Sequence, residues 1–175
     1  MHLCNAVALA RPTPQMEPKR ILFVCLGNIC RSPLAEGLFM QAVEVRSLQQ
    51  RYLADSAGTN RYHTGELPDP RTRQSAESHG LVLTHRARTF VQADYDRFDL
   101  IVCMDQQNVQ NVLTLARHAA DEAKVRLMRH YDPDPADGQV PDPYFGGPEG
   151  FEQVYQILQR ATQGLLQALE SGQRR

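Results

Sequence analysis

A chain of 175 residues, 42% of them hydrophobic, suits one globular domain with a full-sized core. Lys and Arg number 19 against 20 Asp and Glu, so the basic excess of a general nucleic-acid binder is missing, and no apolar run approaches the roughly 18 residues of a membrane span. The four cysteines, Cys4, Cys25, Cys30 and Cys103, follow neither a disulfide-scaffold nor a zinc-site spacing and suit reduced thiols in the cytoplasm.

Residues 1–18 carry Pro12, Pro14 and Pro18, show no hydrophobic period and lack a secretory-type apolar core. They are expected to form a flexible tail ahead of a domain over residues 19–175. Residues 21–25 are a short continuous apolar run ending at Gly27, the pattern of a strand buried in a parallel sheet. Ser32-Pro33 opens a helix, with Ser32 as its cap and Pro33 in its first turn. Leu34, Ala35, Leu38, Phe39, Ala42 and Val43 form its apolar face. Residues 51–56 read as a second strand closed by Gly58, residues 62–70 as turns, and residues 71–79 as a helix stopped by Gly80. A second buried strand follows over 98–104, then a helix over about 106–117 and a short strand over 125–128. Residues 132–150 are a long loop rich in Pro, Asp and Gly. In the last helix Phe151, Val154, Tyr155, Leu158, Ala161, Leu165 and Leu169 recur at helical spacing. Strand and helix in alternation predict one three-layer α/β domain, a small parallel sheet of about four strands flanked by helices. In such sheets ligands bind at the carboxyl ends of the strands, where the loop after the first strand emerges.

That loop is Cys25-Leu26-Gly27-Asn28-Ile29-Cys30-Arg31-Ser32-Pro33. Backbone N–H groups of a loop entering a helix lack intrahelical partners, and with the helix dipole they favour an anion at the loop's centre. Gly27 lets the backbone curl inward. Cys25 begins the loop, so its sulfur sits at the bottom of this cradle, where a thiolate is favoured as nucleophile. Arg31 closes the loop with a planar fork able to grip two phosphoryl oxygens and follow them into the transition state. Ser32 is close enough to donate its hydroxyl to the sulfur, and Asn28 holds the loop's shape. Taken singly, Cys25 is an ordinary buried thiol and Ser32 a plain cap. Together, at this spacing between a strand and a helix, they read as a phosphoryl-transfer loop.

Here the sequence resembles the low-molecular-weight protein tyrosine phosphatases. Residues 24–33 match that family's signature, and the resemblance continues from Arg20 through Asp55-Ser56-Ala57-Gly58-Thr59, Pro68-Asp69-Pro70-Arg71, His79-Gly80, residues 98–105 and Asp142-Pro143-Tyr144. It implies a phosphocysteine intermediate on Cys25, phosphotyrosine-containing protein substrates, and no metal or organic cofactor. Cleaving a tyrosine phosphate expels a phenolate, so an acid facing the thiolate lowers the barrier. Asp132, Asp134, Asp137 and Asp142 all lie in the long loop, and the sequence alone gives each a similar claim. Pro141 and Pro143 restrain Asp142, and Tyr144 follows it. The resemblance selects Asp142 as general acid and base and leaves Asp132 and Asp134 as turn formers. A deep cleft with apolar and aromatic walls would select phosphotyrosine by reach, and the expected walls are Leu26, Ile29, Tyr62 and Tyr144. The resemblance also implies that Ser56 and His79 support Asn28 and Ser32. His79 by itself reads as a helix-end residue meeting the dipole. Phe145 stands where some family members carry a second tyrosine, so any regulation by phosphorylation there is lost. Cys30, in the same loop as Cys25, is either a redox partner for it or a packing residue beneath the loop.

Three other readings share these residues. Arsenate reduction needs an exposed cysteine relay, and downstream only Cys103 remains, inside an expected buried strand. Arginine dephosphorylation is associated by resemblance with threonine where this chain has Ile29. A non-catalytic phosphate-binding module would need neither the thiol nor the acid. The sequence is silent on oligomeric state.

Overall fold

The computed structural model describes residues 17–172. Cys4 and nearly all of the expected tail lie outside the described residues. The elements run β1 (Lys19–Cys25), α1 (Arg31–Val45), β2 (Tyr52–Gly58), α2 (Pro70–Ser78), α3 (Asp94–Arg97), β3 (Leu100–Cys103), α4 (Gln106–Leu113), α5 (Ala119–Glu122), β4 (Val125–Leu127), a 3₁₀ turn (Met128–Tyr131) and α6 (Pro148–Glu170).

The four strands form one parallel sheet in the order β2-β1-β3-β4. β1 is paired on both sides, which is why residues 21–25 read as a continuous apolar run rather than an alternating one. Its side chains still alternate between faces. Ile21, Phe23 and Cys25 join Leu34, Phe39, Leu158 and Leu165 in a core beneath α1 and α6. Leu22 and Val24 join Ile101, Cys103, Tyr95 and Val112 in a second core beneath α3 and α4. Two apolar faces thus produce the expected three layers. Among the described residues no helix is long and apolar enough to cross a membrane.

Several boundaries differ from the sequence reading. α1 begins at Arg31, so Ser32 lies inside the first turn and does not cap the helix; Cys30 holds the capping position and makes no side-chain capping bond. α2 is capped by Asp69, whose carboxylate accepts from the Arg71 N–H. α4 stops at Leu113, before the expected 117. Beyond it Arg117 is drawn to Asp96 and Asp121. α6 starts at Pro148, with that proline in its first turn, three residues ahead of Phe151. Residues 81–93, whose sequence shows no helical or strand period, form an irregular strap. Its Leu81, Leu83, Ala87 and Phe90 are buried, and it is tied to the end of β2 by Gly58 N–H to Arg88 O at 2.8 Å and Phe90 N–H to Gly58 O at 2.8 Å.

Candidate active site

The loop from Cys25 to Arg31 leaves the carboxyl end of the central strand, and β2 ends against it. A Cβ on Gly58 would lie 2.8 Å from Leu26 O and 3.1 Å from Asn28 N, so only glycine lets the two backbones approach this closely. Asn28 takes a left-handed conformation, with φ 57°. This bend aims its N–H at the Cys25 sulfur, 3.2 Å away. Its side chain holds the bend: Nδ2 donates to Ser32 Oγ and Ser56 Oγ, each at 2.9 Å, while Oδ1 accepts from Arg88 N–H and His85 Nε2, each at 2.9 Å.

Ser32 Oγ lies 3.1 Å from Cys25 Sγ. Because Asn28 donates to that oxygen, the hydroxyl proton is left for the sulfur or, at 3.3 Å, for Ala57 O. The sulfur thus sits in a buried pocket facing donors, an environment that stabilises negative charge.

Arg31 is 3% exposed and lines the same cleft as Cys25. Nη1 donates to Asp105 Oδ2 at 2.6 Å and Val140 O at 3.1 Å, and Nη2 to Asp142 Oδ2 at 3.0 Å. Burial works against its charge, but Cys25, Asp142 and Asp105 together hold the guanidinium above its ordinary pKa. Asp105 also caps α4, accepting from Asn108 N–H at 2.7 Å. It was missed in the sequence, although an acid just past the end of a buried parallel strand is a usable signal.

Of the four aspartates in the long loop, only Asp142 lines the cleft. Its Oδ1 accepts from Tyr144 N–H at 3.2 Å. Asp132 is tied to Arg160 and Arg129, each at 3.2 Å, and accepts from Asp134 N–H at 3.0 Å, a turn contact. Asp137 accepts from Gln139 N–H in a similar turn. The cleft holds about 200 Å³ and is lined by Cys25, Ile29, Arg31 and Asp142, with Leu26, Tyr62, His63, Tyr144 and Phe145 among its walls. Tyr62 is 84% and Phe145 96% exposed, so the rim is aromatic and open. His63 was not anticipated; it lies in a turn-rich stretch without period. Larger hollows of about 570 and 700 Å³ border α6 and lack any such convergence of nucleophile, cation and acid.

One expected residue belongs elsewhere. His79 does not support Asn28: its Nε2 lies 3.0 Å from Glu152 Oε2 and its ring stacks on Tyr155 at 3.9 Å. It ends α2, where its ring is free to pack on α6. His85 of the strap takes the position instead. Its Nδ1 lies 3.1 Å from Glu36 Oε2, which also accepts from Ser56 Oγ at 2.6 Å. Burial pushes the Glu36 carboxyl up to about 7 and the His85 imidazole down. Because Asn28 Oδ1 can only accept, His85 Nε2 is the donor in that contact. Glu36, Asp55 and His85 bring ligand-type atoms within 4.8 Å of one another. Arg88 on Asp55 at 2.8 Å and Ser56 on Glu36 already satisfy those groups as a hydrogen-bonded network.

Cys30 is buried beneath the loop with Ile29, Ala87 and Phe151. Burial pushes its thiol up to about 12. Cys103 is fully buried, and burial pushes its thiol up as well.

A sequence model described as low molecular weight phosphotyrosine protein phosphatase matches residues 20–175. A low molecular weight protein-tyrosine-phosphatase of Streptomyces coelicolor is 47% identical over 152 residues, 86% of this chain and 93% of the relative. The crystal structure of a protein tyrosine phosphatase from Entamoeba histolytica superposes with a TM-score of 0.85 at 38% identity, covering 88% of this chain and 98% of that one. A Drosophila arginine phosphatase superposes with a TM-score of 0.80 at 33% identity, covering 86% and 97%.

Proposed function

The chain belongs to the low molecular weight phosphotyrosine protein phosphatase family, and from that premise we propose that it hydrolyses phosphotyrosine in proteins, with Cys25 as nucleophile, Arg31 as phosphate ligand and Asp142 as general acid and base. One observation carries this assignment. Cys25 Sγ lies within hydrogen-bonding distance of both Ser32 Oγ and Asn28 N–H, in a cleft also lined by Arg31 and Asp142.

In the first step the phosphoryl oxygens take the loop N–H groups and the Arg31 fork. The anion thereby replaces Asp142 on Nη2 and frees that carboxyl to carry a proton. The Cys25 thiolate attacks phosphorus, the S–P bond forms, the P–O bond to tyrosine breaks, and Asp142 gives its proton to the leaving oxygen. In the second step water attacks phosphorus and yields its proton to Asp142. The S–P bond breaks with its electron pair left on sulfur, and the Ser32 hydroxyl donates to the returning thiolate. Leu26, Ile29, Tyr62 and Tyr144 enclose the phenyl ring, and the depth of the sulfur favours the longer reach of phosphotyrosine over phosphoserine. Asn28, Gly27, Cys30 and Ser56 shape the loop without touching the ring.

The test is p-nitrophenyl phosphate hydrolysis with a chelator present. Activity in wild type and none in Cys25→Ser supports metal-free cysteine catalysis; equal activity in both removes it. A second reading, arginine dephosphorylation, draws support from the Drosophila neighbour. Ile29, apolar and branched at the cleft, favours a phenyl ring, and faster turnover of phosphoarginine than phosphotyrosine peptides would reverse the preference. Residues 1–18 are proposed as a tail dispensable for catalysis, and a cytoplasmic location is proposed from the free thiols.

Redox sensitivity is proposed for the same pair of loop cysteines. Peroxide would oxidise the Cys25 thiolate to a sulfenic acid. The Cys30 thiol would then displace water from it, forming a disulfide that a thiol reductant reopens. With the Cys30 thiol pushed up to about 12, Cys25 rather than Cys30 is the expected target of peroxide. Less recovery after peroxide and thiol in Cys30→Ser than in wild type is expected; equal recovery removes the idea.

A further inference from the structure

We infer that Arg71 is a positioning residue for this reaction, holding Asp142 in place through Tyr144; the inference rests on the reading of Asp142 as general acid. Arg71 stands in the first turn of α2, and two sets of contacts fix its side chain. Asp69, which caps the same helix, takes Nε at 3.0 Å and Nη2 at 2.9 Å in a two-pronged grip. The guanidinium plane so fixed lies over the ring of Phe151 at 4.6 Å and the ring of Tyr144 at 5.5 Å. Phe151 is itself buried beneath the phosphate loop with Ile29 and Cys30. Asp69 is tied to that loop directly, its N–H donating to Ile29 O at 2.8 Å.

Tyr144 carries the contact onward. Its backbone N–H donates to Asp142 Oδ1 at 3.2 Å. A continuous path therefore runs from the phosphate loop through Asp69, Arg71 and Tyr144 to the acid. The other hydrogen-bonded partner of Asp142 is Arg31, whose fork the substrate phosphate claims on binding. The next residue along, Phe145, is 96% exposed and gives the loop no anchor. When substrate binds, the stack under Tyr144 is what keeps the carboxyl over the leaving oxygen. Arg71 itself touches no reacting atom. Its flat, delocalised cation is suited to lie between two rings while held by a carboxylate, a geometry lysine cannot reproduce.

The experiment compares kcat/KM for phenyl phosphate and p-nitrophenyl phosphate in wild type, Arg71→Met, Arg71→Lys and Asp142→Asn. This constant reports thiolate attack with departure of the leaving group. Phenolate, a base with a pKa of about 10, needs the proton; p-nitrophenolate, a much weaker base, leaves with little help. Asp142→Asn should lose about 100-fold or more on phenyl phosphate and far less on p-nitrophenyl phosphate. Arg71→Met should lose about tenfold on phenyl phosphate and less than about twofold on the nitro compound, with Arg71→Lys in between. Equal losses on both substrates in both Arg71 variants, beside a discriminating Asp142→Asn, would make Arg71 a fold or binding residue and overturn the inference. An Asp142→Asn variant that does not discriminate would sink the acid assignment, and the inference with it.

Discussion

Asn28→Ala is the sharpest test of how the nucleophile loop is held. The substitution deletes four side-chain hydrogen bonds, to Ser32, Ser56, His85 and the Arg88 N–H, from a residue that is 1% exposed. Each neutral bond contributes about 1 kcal/mol net, and the half-buried His85 and Arg88 donors left without a partner add a part of the desolvation cost. The loss should therefore be about 3–5 kcal/mol, out of roughly 5–15 kcal/mol for a domain of this kind. In a chain of this length it should lower the melting temperature by about 10 °C. Asn28→Gly deletes the same bonds but relieves the left-handed backbone at φ 57°. It should be more stable than the alanine variant by about 1 kcal/mol. Urea unfolding of the three proteins, compared at constant slope, measures both quantities. A loss below about 1 kcal/mol for Asn28→Ala would refute the claim that the network holds the loop. Alanine as stable as glycine would refute the claim of backbone strain.

Three further outcomes are expected. His79→Ala should leave kcat/KM for an aryl phosphate within about twofold, whereas His85→Ala, by removing one of the two donors to Asn28 Oδ1, should lower it by about tenfold; the reverse order would restore His79 to the network. Gly58→Ala should push a Cβ into Leu26 O and Asn28 N, costing about 1–3 kcal/mol and lowering activity, as read by thermal melting and aryl phosphate turnover; an unchanged melt would show that the two backbones can separate freely. With the Glu36 carboxyl raised to about 7, its contribution to stability is full below about 4.5 and is lost as pH rises through about 7. His85, pushed down by burial, acts in the opposite sense below about 6.5. The difference in unfolding free energy between wild type and Glu36→Gln isolates the Glu36 contribution and should shrink from pH 4 to pH 8; a flat difference would refute the raised carboxyl.

Much of this molecule follows from local sequence. The apolar run of residues 21–25, the helical spacing from Phe151 to Leu169 and the strand-helix alternation predict a parallel sheet with helices on both faces, because burial of side chains follows backbone period. The loop from Cys25 to Ser32 was legible for a related reason. Its groups are contiguous, so a strand feeding a helix brings sulfur, N–H donors and guanidinium together with little help from the rest of the chain. Only the tertiary structure decided which distant groups complete the site. His85 rather than His79 reaches Asn28, across 57 residues, from a strap with no period at all. Asp105 reaches Arg31 across 74. Among four aspartates of similar local setting, Asp142 lines the cleft while Asp132 turns to Arg160. Local pattern fixes which face of an element is buried. It does not say which two buried faces meet, and the partners of Asn28, Arg31 and Tyr144 are set by that meeting.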